Sequence, residues 1–177
     1  LGLFLKNKKW RSVMIFFDDF IKKVEKKDLP LDGKYSFGLE IKKIVVWLGT
    51  GIPLMLLGAY QFALGYTQGM KIGYIIFGVV LFILGLGHLW LAFSYKISVD
   101  FQKNSLKNKK VDIVLDEIEN CTMSKMVAPG GKKLQTCVEI ITKDKVKVII
   151  PLIMRNKINF AALLRKKLGN KFEIIRD

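Results

Sequence analysis

The sequence predicts a membrane α-helical hairpin joined to an α+β cytoplasmic domain, an antiparallel sheet capped by a C-terminal helix, with an N-terminal amphipathic helix in front. Three observations carry this. Two runs, Ile44–Leu64 and Ile72–Phe93, contain no Lys, Arg, Asp or Glu, although the chain of 177 residues holds 30 Lys and Arg and 15 Asp and Glu. Small residues recur every seven positions along both runs. After Phe93 the apolar period changes from helical to two, as in half-buried strands.

The runs are 21 and 22 residues long, against the ~20 that a helix needs to cross a hydrocarbon core of about 30 Å. With 51% hydrophobic residues and a net charge of +15, a soluble core would have to mix what this chain keeps apart. The competing reading, two buried core helices, asks the remaining residues to enclose helices that are apolar on every face. Orientation follows from the cations, because Lys and Arg beside spans stay on the cytoplasmic side. Residues 1–43 carry 11 Lys and Arg against 6 Asp and Glu, residues 94–177 carry 18 against 9, and the connection between the runs carries only Lys71. Both termini are therefore expected in the cytoplasm and Tyr66–Lys71 in a tight outer turn. Positive charge beside a span also attracts anionic lipid, by about 1 kcal/mol per well-placed cation. It explains the basic balance without nucleic acid as a partner.

Within the hairpin, Gly51, Gly58 and Gly65 mark one stripe and Gly78, Gly85 and Ala92 another. Glycine costs a helix about 1 kcal/mol relative to alanine, so a fixed period asks for close helix packing. The register expected from the spacing sets Gly51 opposite Ala92, Gly58 opposite Gly85 and Gly65 opposite Gly78. Pro53 is placed to kink the first helix. His88 is the one ionisable group deep in a run. It lies close to the end of the run beside Trp90, which favours an interfacial imidazole over proton handling.

In front of the hairpin, Trp10, Val13, Met14, Phe17, Phe20, Ile21 and Val24 recur at steps of three and four, predicting a helix over about Lys8 to Lys26. Two fates suit its apolar face: a headgroup layer or the protein's own cytoplasmic domain. Pro30 and Asp32-Gly33 break the helix, and Tyr35, Phe37 and Leu39 then alternate as a short strand or an extended lead. No signal peptide is expected, since Leu1–Leu5 is too short an apolar opening, and a start at Leu points to native residues before it.

After the hairpin, Tyr95, Ile97, Val99 and Phe101 alternate with polar residues, followed by a turn at Lys103–Ser105 and extended stretches at Val111–Leu115 and Ile118–Val127. Ala128-Pro129-Gly130-Gly131 predicts a hairpin turn. Leu134–Thr142 and Val146–Leu152 complete an antiparallel meander. Asn156 or Asn159 caps a helix whose Ile158, Ala161, Leu164 and Leu168 share a face, with Gly169 at its end. Phe172–Ile175 reads as a further edge strand. The domains are thus residues 1–43 (amphipathic helix and linker), 44–93 (hairpin) and 94–177 (β domain with its helix).

No motif of catalysis stands out. There is no phosphate-binding glycine loop and no nucleophile beside a base. The densest acidic group, Asp116, Glu117 and Glu119, reads as solvated or paired with lysines. Cys121 and Cys137 with a distant His88 do not make a zinc site, and a reducing compartment keeps them as thiols. No cofactor, metal site or catalytic residue is expected.

The order of two spans, a strand Tyr95-Lys96-Ile97-Ser98-Val99-Asp100, a Lys-Asn-Ser turn, the stretch from Val111 to Asn120, a hairpin pair and a final helix resembles the bacterial pleckstrin-homology-like domains attached to short membrane hairpins. The resemblance covers about residues 40–170 and rests on soft patterns. It implies a curved sheet capped by the C-terminal helix in a protein of the bacterial cytoplasmic membrane. It also implies roles in lipid contact, scaffolding or, for some small basic members, self-protection against bacteriocins. In that family the loop after the first strand can hold anionic headgroups, which here implicates Lys103, Lys107, Lys109 and Lys110. The expectation is a non-catalytic membrane-anchored adaptor, its partners being lipids and a membrane protein or a second copy. The alternative is an accessory subunit of a transporter or envelope complex, with an enzyme as the third reading.

Overall fold

A computed structural model describes residues 17–109, 111–129 and 133–176. The fold divides into two compact units. One takes the described residues up to Phe37 and from Ser98 onward; the other is Gly38–Ile97. The described N-terminal residues up to Phe37, read from sequence as an amphipathic helix and linker, fall in the same unit as the strands that follow the hairpin.

With α1 the N-terminal helix described from residue 17 to residue 26, the second unit holds two helices, α2 (Ile41–Thr67) and α3 (Ile72–Ser94). Both are long and apolar enough to cross a membrane. In the most apolar window of each, only 11% and 17% of residues are buried. A core helix of a soluble protein would show the opposite. Helix α2 continues through Pro53, which lacks the N–H that a continuous helix needs there. Between the helices Gly69 and Met70 take positive φ, +81° and +58°, and the Lys71 amide donates to Gly65 O at 3.0 Å. That closes the turn predicted at this place.

The first unit is built on two four-stranded sheets. The first has the order β1-β2-β3-β4: β1 (Lys34–Gly38), β2 (Lys96–Asp100), β3 (Ser105–Asn108) and β4 (Val111–Val114). The second has the order β7-β6-β5-β8: β5 (Ile118–Val127), β6 (Leu134–Thr142), β7 (Lys147–Pro151) and β8 (Phe172–Ile174). A 3-10 turn, Leu115–Glu117, joins the sheets. Helix α4 (Lys157–Leu168) follows β7 and buries Phe160, Ala161, Leu163, Leu164 and Leu168. With Val99, Leu106, Leu115, Ile118, Met123, Ile140 and Ile150 these form the core.

Three details depart from the sequence reading. The turn expected at Lys103–Ser105 is made by residues 101–104, and Ser105–Asn108 is a strand, because Ser105 and Leu106 are buried. The sheet is not a pure meander: β8 pairs parallel to β5, with Cys121 opposite Phe172, since the α4 crossover brings the chain back in the same direction. Asn156 does stand at the start of α4, but with φ +53° and no side-chain cap, a conformation asparagine tolerates.

The described part of the N-terminal helix, residues 17–26, resolves the choice between headgroup layer and protein. Phe17, Ile21 and Val24 are buried, while Asp18, Asp19, Lys22 and Lys23 are exposed. Its apolar face is therefore covered by the protein. Arg165 Nη1 donates to Glu25 O at 3.2 Å, Lys166 Nζ bonds Asp28 at 2.5 Å and Leu29 O at 2.9 Å, and Lys125 Nζ stands 4.7 Å over the Phe17 ring. Trp10, Val13 and Met14 lie outside the described residues.

Candidate functional site

The helix interface has the sharpest geometry in the molecule. Gly51, Gly58, Gly65, Gly78, Gly85 and Ala92 are the buried residues of α2 and α3. A Cβ on Gly58 would stand 2.6 Å from Phe82 N and 2.7 Å from Gly78 O. One on Gly78 would stand 2.6 Å from Phe62 N and 2.7 Å from Gly58 O. The glycine hydrogens thus face the partner's carbonyl oxygen reciprocally, a Cα–H···O arrangement. Gly85 likewise meets Gly51 O at 2.7 Å and Met55 N at 2.8 Å, and Gly65 meets Ile75 N at 3.0 Å.

The register differs from the expected one. Gly58 lies against the backbone between Gly78 and Phe82, not against Gly85; Gly78 lies against the backbone between Gly58 and Phe62, not against Gly65. The helices are thus offset along their axes from the expected pairing. Two notches set level would leave a void, whereas each notch here receives the backbone one turn beyond the partner's glycine. The residues that sequence reasoning missed, Met55, Phe62 and Phe82, lie four positions after Gly51, Gly58 and Gly78, so the spacing held a usable signal. On the outer side, Gly58, Ala59, Phe62, Gly78, Val79, Phe82 and Ile83 line an apolar notch of about 330 Å³.

His88 Nδ1 lies 2.8 Å from Leu84 O; a carbonyl only accepts, so Nδ1 carries the hydrogen. Its ring sits 5.2 Å from the Trp47 ring, tilted by 55°.

The four lysines implied by the family resemblance do not share one loop. Lys103 lies in the turn before β3, Lys107 within β3 and Lys109 beyond it; Lys110 lies outside the described residues. Lys107 is opposite Asp112 in the ladder and bridges it at 2.6 Å. The Lys103 amide donates to Asp100 Oδ1 at 2.9 Å.

Two of the three clustered acids are paired: Asp116 with Lys167 at 3.0 Å and Glu119 with Lys145 at 2.6 Å. The hydrogen bond from Lys167 holds the Asp116 carboxyl below the ordinary value, and the one from Lys166 does the same for Asp28. Cys121 and Cys137 are buried free thiols. Burial pushes the Cys121 thiol up to about 12 and raises Cys137 also. Among the described residues no group of three or more His, Cys, Asp or Glu is placed to hold a metal. Of two open polar clefts, one borders α4 beside Asp28 and Lys166 and the other lies beside Glu119, Lys145 and Lys171. In both, these lysines already donate to the protein's own carboxylates or carbonyls. No protein-family model matches the chain, and no curated protein is similar to it.

Proposed function

We propose that this chain is a non-catalytic, membrane-anchored binding module. The helices α2 and α3 sit in the bacterial cytoplasmic membrane with both termini cytoplasmic. The β unit is pleckstrin-homology-like and contacts anionic lipid or the cytoplasmic face of a membrane partner. Self-protection against a bacteriocin is a specific form of this role. The observation that carries the reading is the exposure of two lipid-length apolar helices, 89% and 83% unburied in their most apolar windows when the buried shares of 11% and 17% are subtracted from the whole. Such a surface demands lipid or another apolar partner. The pleckstrin-homology-like reading is supported by two small sheets followed by a C-terminal helix with a buried apolar face.

Membranes from expressing cells, washed in alkaline carbonate, test the anchor. The chain is expected to stay in the pellet, and protease added to right-side-out vesicles should leave the β unit intact. A chain that is extracted and runs as a monodisperse species in buffer without detergent would overturn the reading.

The accessory-subunit alternative has its own supporting observation. In α2, Gln61 Oε1 is buried and has no hydrogen-bond partner. A donor on another span would satisfy it. Purification in mild detergent with a stoichiometric second membrane protein would favour this version.

A further inference from the structure

Polar side chains within an apolar helix pair indicate what the pair expects beside it, because hydrocarbon offers them no hydrogen bond. Three of them are answered within their own helix. Thr50 Oγ1 donates to Val46 O at 3.2 Å and Trp47 O at 3.1 Å, Thr67 Oγ1 donates to Ala63 O at 3.0 Å, and His88 Nδ1 donates to Leu84 O at 2.8 Å. Each bond runs back to the preceding turn. Gln61 is different. Its side chain is half-buried and so reaches the surface of the pair, yet its Oε1 is buried and accepts no hydrogen bond. It also lies inside the charge-free run that ends at Leu64. The carboxamide carries two N–H donors beside that acceptor. Its terminal torsion is soft, so a turn about it brings oxygen and NH2 to the surface together.

Direction narrows the choice of partner. Gly58 faces α3. At about 100° per residue, Gln61 lies about 60° to one side of Gly58, while Phe62 and Ala59 lie about 40° and 100° to the other. The apolar notch lined by Ala59 and Phe62 is therefore on the opposite flank and plays no part. One turn before Gln61 and on its flank, Leu57 is 52% exposed. An accessory span would have to bring a donor and an acceptor together at the matching height. A second copy brings both by identity. Copies inserted the same way are related by a two-fold along the membrane normal, which sets α2 beside α2 and Gln61 opposite Gln61. Each NH2 then donates to the other copy's Oε1, the self-complementary contact of an isologous interface.

We infer that this chain dimerises in the membrane through α2, with reciprocal hydrogen bonds between the two Gln61 carboxamides and Leu57 packed beside them. The inference rests on the anchor reading given above and makes the partner a second copy of the chain.

The test is oxidative cross-linking of the full chain with copper phenanthroline, in phospholipid vesicles at a low ratio of protein to lipid. Wild type gives the background, since Cys121 and Cys137 are buried. Leu57→Cys should cross-link to a dimer. Ile83→Cys, at a residue that lines the notch on the other flank and is 60% exposed, should stay at background. Adding Gln61→Leu to Leu57→Cys keeps the span apolar and should lower the dimer yield roughly threefold to thirtyfold, the range that interhelical hydrogen bonds in membranes cover. Equal yields at the two cysteine positions, or a yield that Gln61→Leu leaves unchanged, would overturn the dimer and leave the anchor standing. A chain that does not incorporate into the vesicles would overturn the anchor and the dimer with it.

Discussion

Replacing Gly58 with alanine isolates the energy of the close helix approach. The new Cβ would begin 2.6 Å from Phe82 N, and ordinary contact begins at 3.4 Å, so the helices must part by about 0.8 Å at that level, enough to forfeit a quarter to a half of each nearby dispersion contact. Overpacking of this kind costs about 1–3 kcal/mol. Alanine also favours the helix by about 1 kcal/mol, which would mask part of the loss. Gly87→Ala supplies the correction, since nothing lies within 4 Å of a Cβ there and the helix gain is the same. The difference between the two variants is then the steric cost alone, about 2 kcal/mol, or roughly a 30-fold change in the folded ratio. Fluorophores on Lys43→Cys and Ser94→Cys, at one end of the hairpin, report helix separation by energy transfer as SDS is added to a mild detergent. Gly58→Ala should separate at a clearly lower SDS fraction than Gly87→Ala. Identical curves would refute the argument from close approach.

Two further outcomes follow from the titrating groups. With both thiols buried and their ionisation raised, Cys121 and Cys137 should resist maleimide at pH 8 until the β unit is unfolded; rapid labelling of the native chain would contradict their placement. Asp28 and Asp116 have lowered folded values, so their pairs stabilise above the ordinary carboxylate range near 3.9 and lose that effect as pH falls through the folded values. Thermal melts of the wild type and of Lys166→Gln/Lys167→Gln should therefore differ at neutral pH and converge below about pH 4; a gap that persists unchanged into acid would show the lysines act otherwise.

Much of the fold was legible because one period dominates each segment. The boundaries of β5 and β6, Ile118–Val127 and Leu134–Thr142, coincide with the apolar stretches between turn residues. Lipid-length runs without charge leave α2 and α3 little alternative. Less legible were features that depend on partners distant in sequence. Ser105–Asn108 has only one apolar residue in four, so nothing local marks it as a strand; burial against the core does. The parallel placement of β8 is a matter of crossover, invisible to periodicity. In the helix pair, a seven-residue stripe defines a face but not an axial offset, which is why the glycines were identifiable and their opposite numbers were not.

The placement of β1 has a consequence for biosynthesis. Its sheet neighbour β2 begins at Lys96, and both apolar helices are made in between. At about 5–20 residues per second, Lys34–Gly38 waits several seconds before its neighbour exists. The sheet is completed only after both helices have been synthesised, so assembly of the β unit acts as a receipt for synthesis of the apolar one. A chain that stalls between the helices would leave an orphaned edge strand, the kind of surface that quality-control proteases and chaperones engage.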